Sequence, residues 1–165
     1  MAEDPVDTDS VRWRADRGGA SGRAPEARQG AGAARSAGGL GLAYRRTCYA
    51  AGGVATRIGR RSAGVDALLR RWRVREGGFV TAWNPYSRRM PGGWNDRMLV
   101  RLRQAARRLP GAPGEGSAQG WAERHWLLGG DPRRLAALGR RFRQTAIVVV
   151  RVGQPARLVW LPARV

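Results

Sequence analysis

The apolar positions of the chain change their spacing from one segment to the next, and each spacing predicts a type of element. Residues 79–83 form an apolar run without clean alternation, which is typical of a strand covered on both faces. Pro85 ends this strand because proline cannot donate a hydrogen bond to a neighbouring strand. Earlier, residues 49–58 alternate around Gly52 and Gly53, which predicts a β-hairpin with a tight turn.

Three later segments have the spacing of amphipathic helices. Ser62 is a candidate N-cap for a first helix, and Asp131 followed by Pro132 predicts the start of a third one, which runs to about residue 144. The second helix, about 95–109, has the clearest pattern, with one apolar stripe and one arginine-rich face. The apolar stripes consist of Val65, Leu68, Leu69 and Trp72 in the first helix, Met98, Leu99, Leu102, Ala105, Ala106 and Leu109 in the second, and Leu135, Leu138 and Phe142 in the third.

The remaining apolar runs predict strands at 124–128, 146–152 and 157–161, while the Gly- and Pro-rich residues 110–120 predict a loop with at most a short strand. The predicted order is ββ-α-β-α-(β)-β-α-β-β. We therefore expect a single α+β domain in which a mixed β-sheet is packed by about three helices. Its core reads β-α-β-β-α-β, the order of a ferredoxin-like fold, and a β-hairpin and a helix precede it.

Residues 1–41 differ from the rest because Gly, Ala, Ser, Arg and Pro dominate and no large apolar residue lies between Trp13 and Leu40. Such a segment cannot bury enough surface to offset its ordering entropy. We expect a disordered, low-complexity tail over 1–41 and one domain over 42–165. An alternative is that the start codon has been assigned too early, and a partner-binding tail is the third reading.

The charge of the chain is concentrated in the predicted domain. The chain has 31 basic and 12 acidic residues, a formal net charge of +19, and arginine as its sole basic residue type. Residues 42–165 hold 25 of the arginines and six acids, so the excess lies in the folded part. Such a field attracts polyanions. Codon bias in a GC-rich genome is the competing explanation for the arginines.

Cysteine usage and hydropathy bear on the compartment. Cys48 is the single cysteine, so no intramolecular disulfide forms, which fits a reducing cytosol. The sequence has no run of about 18 apolar residues and no apolar segment near its N-terminus of the kind that secretory signals have. We expect a cytoplasmic protein that does not bind membranes.

The strand motif Phe79-Val80-Thr81-Ala82-Trp83-Asn84-Pro85 resembles the hallmark of a bacterial family known only as a domain of unknown function, number three-two-nine-three. Further matching segments occur in the family's order over about residues 43–161. They are Ala43-Tyr44-Arg45, Arg57-Ile58-Gly59, Asn95 at a helix start, Pro113-Gly114-Glu115-Gly116 and Phe142-Arg143-Gln144-Thr145-Ala146-Ile147. The resemblance implies a shared fold and no particular reaction.

Two segments depart from the family pattern. Glu123-Arg124-His125 stands where the family usually has Glu-Pro-Ser, and Phe142-Arg143-Gln144 replaces the usual Phe-Gly-Gln. If either segment lines a site in the family, the site of this chain is altered.

Five polar residues are candidates for a ligand-binding or enzymatic site. Asn84 follows the central strand, where sites tend to lie in α/β sheets, although it can equally cap the turn before Pro85. Glu123 and His125 lie two residues apart on a strand and therefore share a face, which suits acid–base chemistry, although a structural role for the histidine is the simpler reading. The five candidates are Asn84, Glu115, Glu123, His125 and Gln144.

Catalytic and cofactor motifs are lacking in the sequence. Glu115, Glu123 and Asp96 are possible Mg²⁺ ligands, although nothing in their spacing brings them together and solvated loop positions are the simpler reading. One histidine and one cysteine cannot form a zinc site, and the glycines match no nucleotide-binding fingerprint. We therefore expect no metal and no cofactor, and we lean towards a protein that is not an enzyme.

The arginines of the second and third predicted helices carry the main functional hypothesis. These residues are Arg97, Arg101, Arg108, Arg133, Arg140 and Arg143. Two such helices on one side of a sheet present a joint surface for phosphates, with Tyr86, Trp94 or Trp121 available to stack on bases. The sequence thus favours a non-catalytic domain that binds nucleic acid or another polyanion. The alternatives are a ligand-binding or enzymatic domain with a site near Asn84, and a structural or interaction protein whose charge is incidental.

Overall fold

In a computed structural model, which describes residues 37–162, helices and antiparallel strands alternate along the chain. The helices are α1 (Ala37–Arg46), α2 (Ala63–Arg71), α3 (Gly92–Ala105) and α4 (Pro132–Arg141). The strands are β1 (Cys48–Ala51), β2 (Val54–Thr56), β3 (Glu76–Val80), β4 (Gly111–Ala118), β5 (Trp121–Gly129), β6 (Ala146–Arg151) and β7 (Arg157–Trp160). A 3₁₀ turn, Pro85–Ser87, lies between β3 and α3.

The seven strands form one sheet in the order β2-β1-β4-β5-β3-β6-β7, and every neighbouring pair is antiparallel. The sheet curls until its edges meet, because Ile58, just after β2, forms a parallel bridge with Ala156, just before β7. Gly59 N–H donates to the Ala156 carbonyl at 2.8 Å, which closes this seam. Because neighbouring strands alternate in direction and their number is odd, the two edge strands, β2 and β7, run in the same direction. The contact that closes the sheet is therefore parallel.

The α+β fold and its ferredoxin-like core are confirmed. The segment β3-α3-β4-β5-α4-β6 has the predicted order, and its strands are neighbours in the order β4-β5-β3-β6. The predicted mixed sheet is wrong, since all strand pairs are antiparallel. In the split βαβ arrangement, β5 lies between β3 and β4, and β3 lies between β5 and β6. Strands that run in the same direction are therefore never neighbours.

The two faces of the sheet pack against different helices. One face meets α3 and α4, with Leu102 and Leu135 fully buried between helices and sheet. The other face meets α2, where Leu69 packs against a cluster that includes Phe79 and Val148. As predicted, β3 is covered on both sides, since Gly77 to Val80 are all buried.

Local signals placed the starts of α2 and α4 and the hairpin correctly. The Ser62 hydroxyl accepts a hydrogen bond from Val65 N–H at 3.3 Å, and the Asp131 carboxylate accepts one from Arg133 N–H at 2.7 Å, so both are N-caps. The hairpin turn uses Gly52 and Gly53 with φ values of 58° and 79°. Helix α3 begins and ends about three to four residues earlier than predicted.

Two predicted boundaries are wrong. Residues 110–120 are not mainly a loop: β4 occupies Gly111–Ala118 and pairs with β1 on one side and β5 on the other. The central strand ends at Val80, and Thr81 leaves it because its hydroxyl accepts a hydrogen bond from Trp83 N–H, which turns the chain.

The N-terminal boundary also differs from the prediction. Helix α1 begins at Ala37, so residues 37–41, which the sequence assigned to the tail, belong to a helix. Residues 1–36 of the predicted tail lie outside the described residues. Among residues 37–162, no helix is long and apolar enough to cross a membrane.

Candidate functional site

A chamber of about 600 Å³ opens on the sheet face that also packs against α2. Its walls are contributed by α1, by β1, β3, β4, β5 and β6, by the start of α3, and by the segments that join β3 to α3 and α4 to β6. Five aromatic rings and four of the predicted polar residues line it: Tyr44, Tyr49, Phe79, Trp83 and Trp121, and Asn84, Glu123, His125 and Gln144. Its volume lies within the range of about 300–1,000 Å³ that is typical of ligand pockets.

Asn84 lies at the end of β3 in a left-handed conformation, with φ 48° and ψ 63°. Its side-chain oxygen accepts hydrogen bonds from Met90 N–H at 2.9 Å and from the Asn95 amide at 3.1 Å. Its own backbone N–H donates to the Asn95 side-chain oxygen at 3.0 Å. Because Asn95 is buried at the start of α3, these bonds fix the orientation of the Asn84 amide.

The carboxylate of Glu123 is the hydrogen-bond acceptor for the side-chain nitrogen of Asn84. The Asn84 Nδ2 donates to Glu123 Oε1 at 2.6 Å. Burial raises the pKa of Glu123, and the hydrogen bond from Asn84 opposes this rise. Among the described residues no arginine forms an ion pair with this carboxylate. The chamber therefore presents a partly desolvated carboxylate that forms no ion pair with a described residue, although Arg89 also contributes to the lining.

His125 is buried deeper in the same wall. Its Nε2 lies 3.0 Å from the Ala50 carbonyl oxygen, which can only accept, so Nε2 carries the proton. Burial lowers the pKa of His125 to about 4, and the bond to Ala50 opposes this fall. The ring packs against Tyr49 and Phe79, with ring centroids 6.1 and 5.0 Å away. The neutral ring thus leaves Nδ1 as an acceptor on the side of Gly116, which also lines the chamber.

Gln144 connects the chamber wall to the loop after β3. Its Nε2 donates to the carbonyls of Trp83 at 3.0 Å and Phe142 at 3.1 Å, so both donors are used and Oε1 is left as an acceptor. The indole N–H of Trp83 is buried without a hydrogen-bond partner among the described residues. Such an unpaired donor is uncommon in proteins and is often found at sites of function.

The hydroxyl groups of the two tyrosines are less available. The Tyr49 hydroxyl donates to the Tyr44 carbonyl at 3.1 Å. Burial raises the pKa of both phenols, and the nearby Glu123 carboxylate adds to this effect. Both rings therefore act as neutral walls. Residues that line the chamber thus offer three acceptors, the Glu123 carboxylate, Nδ1 of His125 and Oε1 of Gln144, and two donors, the Trp83 indole N–H and the Arg89 guanidinium.

Glu115 is not in the chamber. It is exposed on β4, next to Gly116, whose position faces the chamber, and neighbouring strand residues point to opposite faces. Asp96 is also elsewhere, since it pairs with Arg124 at 3.5 Å on the surface. The possible Mg²⁺ cluster of Asp96, Glu115 and Glu123 is therefore not assembled. Within residues 37–162, no three His, Cys, Asp or Glu side chains form a group suited to a metal ion.

The six predicted polyanion-binding arginines lie on or just after α3 and α4, which pack against the same face of the sheet. Arg140 is half-buried and the other five, Arg97, Arg101, Arg108, Arg133 and Arg143, are exposed. None of the six forms an ion pair with a described residue. Of the three aromatic residues proposed for stacking, Tyr86 and Trp121 are exposed, while Trp94 is half-buried.

Sequence reasoning missed several residues of the chamber. Tyr44 lies on α1, a helix that was not predicted. Asn95 was predicted to begin a helix, but its hydrogen bond with Asn84 was not predicted. Thr81 was assigned to the middle of a strand, although its hydroxyl instead bonds the Arg124 carbonyl at 2.7 Å and fixes the loop. The Asn84–Asn95 spacing of eleven residues gives no signal, because their meeting depends on the left-handed backbone between them.

Comparison with protein families gives one match. The family model described as a protein of unknown function (DUF3293) matches residues 80–147, from the last residue of β3 into β6. This range contains Asn84, Glu123, His125 and Gln144. No curated protein and no solved structure matches the chain.

Proposed function

Because the chain belongs to the DUF3293 family, whose description assigns no activity, we propose its function from the chamber: it is a domain that binds a small molecule there. The observation that supports this most directly is the convergence of Asn84, Glu123, His125 and Gln144. These residues come from three separate segments and line one cavity with five aromatic rings. Aromatic walls combined with oriented polar groups are typical of ligand sites.

The chemistry of the walls selects a class of ligand. Because Glu123, His125 Nδ1 and Gln144 Oε1 offer acceptors, a ligand with N–H donors is favoured beside them, and a carboxylate or phosphate placed there is repelled by Glu123. The aromatic walls suit a flat body. We therefore propose a nitrogen heterocycle or an aromatic amine, bound with an N–H group on Glu123.

The site is rigid before any ligand enters. Asn95 fixes Asn84, which in turn holds Glu123, and the Ala50 carbonyl fixes the tautomer of His125. A polar group that is already oriented costs little further entropy when it binds a ligand. This arrangement supports a binding role, and it assigns no reaction.

The test is ligand-observed NMR with a fragment panel divided into aromatic amines, N-heterocycles and aromatic carboxylates. A Gly116→Val variant places a branched side chain beside His125 Nδ1, inside the chamber. The matched control is Ser117→Val, one residue later on β4 and exposed. We expect amines and heterocycles to bind the wild type and Ser117→Val, and not Gly116→Val. Equal binding to both variants, both shown to be folded by circular dichroism, would contradict the proposal, as would a preference for carboxylates.

Polyanion binding is a second candidate function, because α3 and α4 place their unpaired arginines over the same sheet face. Arginine pairs phosphates with two parallel hydrogen bonds. The expected signature is an affinity for single-stranded RNA or DNA that falls steeply between about 50 and 200 mM salt. Absence of binding at about 50 mM salt rules this function out.

A further inference from the structure

A second, smaller concavity lies at the end of α4. Its volume is about 390 Å³, and we call it the arginine pocket. Its lining consists of Tyr86, Ala137, Arg140, Arg141, Arg143, Gln144, Leu161 and Pro162. Gln144 lines both this pocket and the chamber.

Three arginines meet in this pocket without a counter-charge from any of the described residues. The lining contains no carboxylate, and Arg140, Arg141 and Arg143 form no ion pair with a described residue. Arg141 lies over the Phe142 ring, 6.0 Å from its centroid, which leaves its N–H groups free to bind a ligand. Like charges held close together repel each other, and a bound anion removes this repulsion.

The helix dipole accounts for only part of this cluster. Arg140 and Arg141 lie in the last turn of α4, where cations are favourable without any ligand. Arg143 follows the helix and has a left-handed φ of 55°. Its carbonyl accepts a hydrogen bond from Tyr86 N–H at 2.7 Å. The third arginine is thus placed by a contact with the loop after β3.

The same contact fixes Tyr86 beside the arginines. Tyr86 also has a left-handed φ, 52°, and its side chain is 52% exposed. Left-handed conformations of residues other than glycine are strained and tend to occur at functional sites. Here two of them are joined by one hydrogen bond, and the result is an exposed aromatic ring at the rim of a cationic pocket.

We propose that the arginine pocket binds a phosphate of single-stranded nucleic acid while a neighbouring base stacks on Tyr86. Guanidinium groups pair phosphates bidentately, and base stacking on an exposed ring requires an unpaired base. The arginines of α3 and α4 continue along the same face and provide further phosphate contacts. This proposal rests on the second candidate function and assigns its site.

The experiment measures the affinity of the full chain for a labelled oligothymidylate of about twelve nucleotides by fluorescence anisotropy at several salt concentrations. The pocket variant is Arg140→Gln/Arg141→Gln/Arg143→Gln. Its matched control, Arg101→Gln/Arg107→Gln/Arg108→Gln, removes the same charge from exposed positions on and after α3. Tyr86→Leu and Tyr86→Phe form a second pair, since both keep a side chain with a Cβ at the left-handed position.

We expect the pocket variant to lose at least about tenfold more affinity than the α3 control, and its salt slope to fall by up to about two, since single strands give about 0.7 per phosphate contact. Tyr86→Leu should lose at least about fivefold, while Tyr86→Phe stays near the wild type because it keeps the ring. A duplex of the same sequence should bind less tightly than the single strand and be insensitive to Tyr86→Leu.

Other results separate the two levels of the proposal. If both triple variants lose affinity equally, polyanion binding stands and the assignment of the pocket is wrong. If inorganic phosphate competes as well per phosphate as the oligonucleotide, or if Tyr86→Leu has no effect, the strand assignment is wrong. If the wild type does not bind the oligonucleotide at about 50 mM salt, both the pocket and the second candidate function are wrong.

Discussion

The side-chain amide of Asn84 donates to the carboxylate of Glu123 at 2.6 Å and joins the loop after β3 to β5 in the wall of the chamber. The side-chain oxygen of the same Asn84 amide accepts a hydrogen bond from Asn95. Three polar side chains, from β5, the loop and α3, therefore form one network. Because it contains the buried Asn95 and the partly desolvated Glu123, the network contributes to stability as well as to the shape of the site.

We predict that Asn84→Gly lowers the free energy of unfolding by about 1–3 kcal/mol, because it leaves the Met90 N–H without its acceptor and removes one of the two acceptors of the buried Asn95 amide. Glycine adopts the left-handed backbone easily, so the loss measures the side-chain bonds. Ser87→Gly is the matched control, since Ser87 also has a positive φ, 59°, and it should change stability by less than about 1 kcal/mol. Urea unfolding of both variants checks this, and equal midpoints would contradict the structural role of Asn84.

Part of the chamber follows from sequence rules. The end of β3 at Asn84 and Pro85 and the shared face of Glu123 and His125 follow from the properties of proline and from the two-residue period of strands. The same period also excludes Glu115 from the chamber, but only once the register places Gly116 on its wall. Register depends on pairing between distant segments, and the local pattern of the chain does not contain it.

The sequence pattern gave no clear signal for β4 and α1, and there is a physical reason for each. Strand β4 has the sequence GAPGEGSA, which lacks the β-branched and aromatic residues that indicate strands. It is a strand because β1 and β5 bond to it from both sides. Helix α1 has three glycines and little apolar periodicity. Its Tyr44 packs edge-on against Trp160, a contact with the last strand that the local sequence does not indicate.

The raised pKa of Glu123 predicts that Glu123→Gln stabilises the protein at alkaline pH. A carboxyl whose folded pKa lies above its ordinary value of 4.5 destabilises the folded state when it is ionised, above the raised pKa. The gain in thermal midpoint should therefore be largest near pH 8 and vanish as the pH falls to about 4. Glu115→Gln, at an exposed position, should show no gain at either pH. A gain that is independent of pH would contradict burial of the charge as its cause.

The lowered pKa of His125 predicts that the protein loses stability on mild acidification. Its folded pKa, about 4, lies below the ordinary 6.5, so its contribution is fully present above pH 6.5 and is lost as the pH falls towards 4. The loss reaches up to about 3 kcal/mol. Protonation of Glu123 acts in the opposite direction over part of this range, so the comparison is best made in a Glu123→Gln background.

Urea unfolding of Glu123→Gln, with and without His125→Gln, measures this effect between pH 7 and 4.5. Glutamine keeps an N–H donor for the Ala50 carbonyl and does not titrate. We expect the variant with His125 to lose stability on acidification and the double variant to lose much less. Parallel curves would show that another group is responsible.

The same substitution at two glycines of β4 is expected to have very different costs. A Cβ on Gly114 meets the carbonyl oxygen of Ala50 on the neighbouring strand, and relief requires β1 and β4 to separate. A Cβ on Gly116 lies 3.3 Å from the Thr47 methyl group and 3.4 Å from His125 Nδ1, in the chamber wall. We expect Gly114→Ala to cost more than about 3 kcal/mol, the upper end of typical overpacking, and Gly116→Ala to cost less than about 1 kcal/mol.

Urea unfolding and the hydrogen exchange of β1 amides test this contrast. Gly114→Ala should accelerate exchange in Cys48–Ala51, because the ladder between β1 and β4 is disturbed, whereas Gly116→Ala should leave it unchanged. The smaller cost at Gly116 is expected because its tightest contact, 3.3 Å, is with a side-chain methyl group that has to move by only a few tenths of an ångström, whereas Gly114 meets backbone. If Gly116→Ala were as destabilising as Gly114→Ala, the wall beside His125 would be tightly packed and the chamber could not admit a ligand there.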